Sequence, residues 1–198
     1  MLWVIVATGG AAGVLTLTAL YRELIRRWWW LAAVVGSVTA FVGARAEAGA
    51  GAALVFVVAG LLMVQTPLDV RTRYLSRRAT VIAVALVSVV IAIDVVGGDV
   101  GVHAAGAAVS IAAVVVAVYA LLHRLSPRSL GWGDVLLVAP LGLALGYVAA
   151  DRVVVWQLLA STTGAIHALM LRRLRGVRTI PFGPHLLVAA WLVLLVSV

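Results

Sequence analysis

The sequence predicts an all-α protein, a polytopic bundle of transmembrane helices with about eight spans, and three observations carry that prediction. Hydrophobic residues make up 65% of the 198-residue chain and charged residues only 11%, with a mean hydropathy of +1.18, far from the averages of soluble domains. The apolar residues fall in runs of about 20, the length that crosses a hydrocarbon core as helix. The charges sit between those runs: all 15 basic residues are arginines, gathered in short connectors.

The predicted spans are 1–20, 28–44, 51–68, 79–96, 102–122, 132–150, 153–171 and 182–198. No arginine precedes the first, and Arg22, Arg26 and Arg27 follow it, the reverse of a cleavable signal peptide, so it is expected to be a retained span. The second opens on Trp28, Trp29 and Trp30, where an interfacial aromatic belt belongs. The third runs up to Pro67-Leu68-Asp69, and Arg71, Arg73, Arg77 and Arg78 separate it from the fourth, whose last turn holds Asp94; that carboxylate is expected at the outer interface. Arg124 and Arg128 end the fifth, and Gly131-Trp132-Gly133-Asp134 opens the sixth. The seventh follows Arg152 and is closed by Arg172, Arg173, Arg175 and Arg178, and Ile180-Pro181-Phe182-Gly183-Pro184 leads into the eighth. Small residues recur within the spans, among them Gly9, Gly10 and Gly13, Gly49 and Gly51, and Gly142 and Gly146, spacings that permit close helix approach. With no long linker and no fixed-period repeat, residues 1–198 are expected to form one membrane-embedded domain, with two leading spans in 1–45 and a core in 50–198.

The connectors also set an orientation. Thirteen of the fifteen arginines lie on one side of this topology, against Arg45 and Arg152 on the other. The positive-inside rule makes the arginine-rich side cytoplasmic, with both termini outside. Asp69, at the end of the third span, and Asp134, at the start of the sixth, then share the cytoplasmic end. A carboxylate near a bilayer core costs about 2.5–3.5 kcal/mol on insertion scales, so each needs an explanation in function, pairing or placement.

Two carboxylates on one face suit aspartic hydrolysis, in which one activates a water and the other protonates the carbonyl oxygen. Such a pair holds one proton between its members and titrates as a unit. Gly131 and Gly133 would let another segment approach the backbone beside Asp134 closely. The structural alternatives are that Asp134 caps its helix and that Asp69 pairs with Arg71 or Arg73 among the headgroups.

The absence of cysteine excludes disulfides, thiolate metal sites and cysteine nucleophiles. His103, His123, His167 and His185 are spread over the chain with no His-x-x-x-His pattern, so no metal site is expected. No phosphate loop, dinucleotide fingerprint or nucleic-acid motif is present, and no cofactor is called for.

Three segments together resemble the type IV prepilin peptidase family of intramembrane aspartyl proteases. Gly131-Trp132-Gly133-Asp134 is similar to its Gly-x-Gly-Asp signature. Asp69-Val70-Arg71-Thr72-Arg73-Tyr74-Leu75 resembles its first catalytic motif, an Asp and a basic stretch leading into Leu-Pro. Ile180-Pro181-Phe182-Gly183-Pro184 is similar to the Pro-Phe-Gly-Pro segment that opens the last helix. The resemblance implies catalysis by Asp69 and Asp134, and a site shaped by Gly131, Gly133, Pro181, Phe182, Gly183 and Pro184. It also implies hydrolysis of the leader of pilin or pseudopilin precursors at the cytoplasmic surface of a bacterial inner membrane. His185, just after the third motif, is expected to face Asp69 or Asp134 as a neighbouring cation, with Arg71 and Arg73 as further tuning groups.

Three departures accompany the resemblance. Ser76 stands where the family has Pro, and Leu136 where a Lys is common. Only Tyr21 to Arg27 fills the connector in which large members carry an N-methyltransferase region, so no methyl transfer is expected. Ser76 and Leu136 motivate an alternative, a catalytically degenerate assembly scaffold that binds pilins. A proton-coupled transporter, the third class, would place its carboxylates near the bilayer midplane rather than at one edge.

Overall fold

A computed structural model describes residues 34–40, 49–98, 102–126, 130–175 and 180–198. The predicted span 1–20 and most of 28–44, with the Trp28–Trp30 belt and Gly9, Gly10 and Gly13, lie outside the described residues. What is described is helical, with no strand among the described residues: residues 34–40, then α1 (Ala50–Thr72), α2 (Arg77–Gly97), α3 (Val102–Leu125), α4 (Trp132–Val148), a 3-10 turn (Ala150–Arg152), α5 (Val153–Arg175) and α6 (Gly183–Leu195). Four of these segments are long and apolar enough to cross a membrane: α1, α2, α3 and the run Ala150–Leu174. α4 and α6 are shorter apolar helices. The described residues therefore account for six of the expected helices.

α1 is the axis of the bundle. Its buried residues run all the way round, from Ala50 through Leu54, Val58 and Leu62 to Asp69, the pattern of a helix enclosed on every side. It packs on α2 and α6, α4 packs on α2, α3 and α6, and α5 packs on α6. α3 and α5 turn much of their apolar surface outward, including Val109, Val114, Val118, Leu158, Ile166 and Leu169. Outward apolar side chains of this kind are what a helix facing lipid requires.

The expected role of Gly142 and Gly146 is met at the α3–α4 contact. A Cβ built on either glycine would lie 2.9 Å from a backbone Cα, of Ala112 and Ala108 respectively. Gly146→Ala should therefore force the two helices apart and destabilise the protein by about 1–3 kcal/mol, as overpacking does; a lower unfolding midpoint in detergent is the readout.

Two polar ties close the end remote from Asp69 and Asp134. Arg152 donates to the Val196 carbonyl at 2.9 Å and to the Ser197 hydroxyl at 3.0 Å. Asp94, in the last turn of α2, is buried at 3% exposure and accepts a hydrogen bond from the Tyr147 hydroxyl. Its position in the last turn of α2 indicated depth but not direction, and α4 supplies the partner.

Candidate active site

The third predicted span continues through Pro67 and Asp69 to Thr72, so Asp69 belongs to the last turns of a helix. Pro67 stands inside the helix and leaves the carbonyl four residues before it without its helical N–H partner. The helix then stops on Arg73, whose left-handed backbone (φ 58°) returns its N–H to the Asp69 carbonyl at 3.0 Å. The chain turns through Tyr74 and Leu75, and Ser76 caps α2 by accepting the Ala79 N–H at 3.3 Å.

The Asp69 carboxylate, 6% exposed, points inward. Its Oδ2 accepts the backbone N–H of Gly183 at 3.1 Å, a bond between residues 114 positions apart. The first and third motifs are thereby joined. The Arg73 charge also acts on Asp69, while Arg71 is exposed on the helix end.

Asp134 occupies the third position of α4, with Gly131 as the residue before the helix. Its Oδ2 accepts the Gly131 N–H at 3.2 Å, and its own N–H returns to the Gly131 carbonyl at 3.1 Å. The structural alternative in which Asp134 caps its helix takes a modified form: it reaches back from the first turn, as the acid of a capping box does. It is 9% exposed. Tyr119 of α3 is buried and donates its hydroxyl to Gln157 Oε1 at 2.8 Å.

Leu75 sits between the second and third motifs. A Cβ on Gly133 would lie 3.1 Å from Leu75 Cβ, and one on Gly183 would lie 3.1 Å from Leu75 Cδ2 and 2.8 Å from Asp69 Oδ2. The two glycines are thus the space in which the leucine and the Asp69 carboxylate fit. The close approach expected beside Asp134 is made by this loop.

In the third motif Phe182 precedes α6 and accepts the His185 N–H at 3.0 Å, with Pro184 in the first turn, where its missing N–H costs nothing. The Phe182 ring lies against Gly164 of α5, at 2.8 Å from where a Cβ would be. Pro181 is partly buried ahead of it. His185 departs from expectation. Its side chain is turned to α5, with Nε2 3.0 Å from His167 Nδ1 and Nδ1 3.3 Å from the Thr163 hydroxyl. The direction follows from its place on α6: Gly183 faces α1, and a residue two positions later is about 200° round the helix, toward α5.

The structure therefore collects Asp69, Asp134, Gly133, Gly183 and Leu75 at one end of the bundle, with Gly131 and Phe182 supporting them. It takes His185 to a second pair with His167, beside which no third His, Asp or Glu is gathered among the described residues. Leu75 was quoted from sequence only as the end of the first motif, and Gln65, Tyr119 and Gln157 were not singled out; the polar residues inside apolar helices, Gln65 and Gln157, carried a signal that could have marked them.

The model of the type IV leader peptidase family matches residues 54–169, a stretch that includes both aspartates. Proteins named prepilin leader peptidase/N-methyltransferase from Aeromonas salmonicida and Aeromonas hydrophila are each 37% identical over 68 residues. That stretch is 34% of this chain and 23% of those proteins, so the match spans about a quarter of the curated relatives' length. No solved structure matches the chain. A match that takes in more than half of the sequence, with Asp69 and Asp134 inside it, identifies its kind: the chain belongs to the type IV leader peptidase family.

Proposed function

We propose that the protein is an aspartic endopeptidase that removes the leader of a pilin or pseudopilin precursor, with Asp69 and Asp134 as its catalytic pair. One observation supports this reading above the others. The two carboxylates are buried at the same end of the bundle, Asp69 is bonded to the third motif through Gly183, and Leu75 packs against both Gly183 and the Gly133 that precedes Asp134. Nearby buried carboxyls resist double ionisation, so the pair carries one proton. The ionised member takes a proton from a water, whose oxygen adds to the scissile carbonyl carbon. The protonated member gives its proton to the carbonyl oxygen. Collapse of the tetrahedral species breaks the C–N bond, and the amine leaves with a proton returned from the pair.

The arginine distribution supports a multi-pass protein of about eight spans in the bacterial cytoplasmic membrane, with this end facing the cytoplasm. A substrate whose short leader precedes an apolar helix would then present its scissile bond where that helix enters the bilayer. Membrane lipid and the precursor are the partners this requires.

The test is leader release by the purified chain in detergent, with a pilin precursor as substrate. Release that disappears in Asp69→Asn and in Asp134→Asn is the expected result. A chain that binds the precursor and releases nothing would instead be the assembly scaffold that Ser76 and Leu136 suggest.

A further inference from the structure

Gln65 lies one turn before Asp69 on α1 and is fully enclosed. Residues four apart share a helix face, so it looks onto the loop that follows Asp69, and it uses both ends of its amide there. Oε1 accepts the Ser76 N–H at 2.8 Å, while Nε2 donates to the Ser76 carbonyl at 2.9 Å and to the Thr80 hydroxyl at 3.0 Å. Thr80 in turn bonds the same carbonyl through its hydroxyl at 3.2 Å and its N–H at 3.1 Å. A buried amide with these partners fixes the backbone of Ser76, and the residue before Ser76 is Leu75.

Leu75 fills the space that Gly133 and Gly183 leave open. The clamp on Ser76 therefore sets where that leucine stands, and the leucine is among the nearest neighbours of the built Cβ of both glycines. A shift of Leu75 would move the backbone that bonds Asp69 on one side and the first turn that carries Asp134 on the other. We infer that Gln65 is a positioning residue for the catalytic pair, acting through Ser76 and Leu75 on the separation of Asp69 and Asp134. This inference rests on the aspartic peptidase reading above.

The experiment compares the full chain with Gln65→Met, Ser76→Pro and the double variant, in detergent, on a pilin precursor. Met keeps the length of the glutamine and removes its polar atoms. Pro suits the Ser76 backbone, whose φ is −71°, and removes the N–H that Gln65 accepts. Gln65→Met should lower kcat about tenfold to a hundredfold, the scale of a small misplacement of reacting groups, with KM within about twofold of wild type. Ser76→Pro should lower kcat by about tenfold or less, and Ser76→Ala, which keeps the N–H that Gln65 accepts, should keep a higher kcat than Ser76→Pro. The double variant should be no slower than Gln65→Met, because its Pro has no N–H left to strand.

A wild-type kcat in Gln65→Met, a rise in KM alone, or losses that multiply in the double variant would each overturn the inference. Should Gln65→Met fail to fold, Ser76→Pro against Ser76→Ala tests the same contact from the other side, and equal kcat values there overturn it. Asp69→Asn separates the two levels. If that variant is inactive while Gln65→Met is fast, only the positioning role fails; if it cleaves normally, the catalytic pair fails and takes this role with it.

Discussion

Asp134→Asn is expected to leave the protein folded while lowering kcat for leader cleavage by ~10²- to 10⁴-fold, the usual contribution of a positioned acid or base. The structural part of Asp134 survives the change, since an amide oxygen still accepts the Gly131 N–H that the carboxylate holds at 3.2 Å. On the proposed aspartic mechanism, what is lost is the proton that the pair would share. Asp69→Asn makes the same separation on the other side, because its amide oxygen still accepts the Gly183 N–H. Single-turnover cleavage, with precursor binding measured in parallel, reads the effect as chemistry rather than affinity. Near-normal kcat in either variant would remove that carboxylate from the reaction.

Gly183→Ala carries the second large effect, and it comes from space alone. Its methyl would stand 2.8 Å from Asp69 Oδ2 and 3.1 Å from Leu75 Cδ2, inside contact distance on two sides. Either the carboxylate leaves the Gly183 N–H or α6 backs away from α1, and both displace Asp69 from its partner. A loss of ~10²-fold in kcat is expected, as for misplacement of a reacting group, together with a lower unfolding midpoint. Gly131→Ala is the matched comparison. Its methyl would be 3.4 Å from Asp134 Oδ2, an approach a small shift relieves, so its kcat should stay within a few-fold of wild type. Equal effects at the two glycines would contradict the geometry.

The Ser76 departure has a physical reading that the sequence could not supply. Its backbone holds a φ of −71° with no ring to enforce it, and its N–H and hydroxyl are both used, one by Gln65 and one by Ala79. The local shape that a proline favours is therefore present in its absence. Leu136, the other departure, is partly buried on α4 two residues after Asp134, and no cation stands at that position.

Among the described residues, helix positions were legible because each depends on a local property, a run of apolar residues near the length of a span between arginines. Starts and ends differed by a few residues where a carboxylate or proline lay inside a helix, as at Pro67 and Asp69, since helices tolerate polar groups at their last turns. The fate of His185 was not legible. Its neighbours in sequence suggested the aspartates, but which way it turns depends on how α6 rotates between α1 and α5. Gln65 was hidden for a related reason: a polar residue in an apolar helix announces a partner, and the partner is a loop backbone eleven positions on.

The sequence by itself determined the apolar helices of a membrane protein, the helix ends that carry Asp69 and Asp134, and motifs that resemble the family to which the chain belongs, because periodicity, charge bias and motif are properties of short stretches. The tertiary structure decided how the motifs interlock. Only packing could join Asp69 to Gly183, seat Leu75 between two glycines, and give Gln65 a backbone to hold, since each contact depends on the relative placement of helices far apart in the chain.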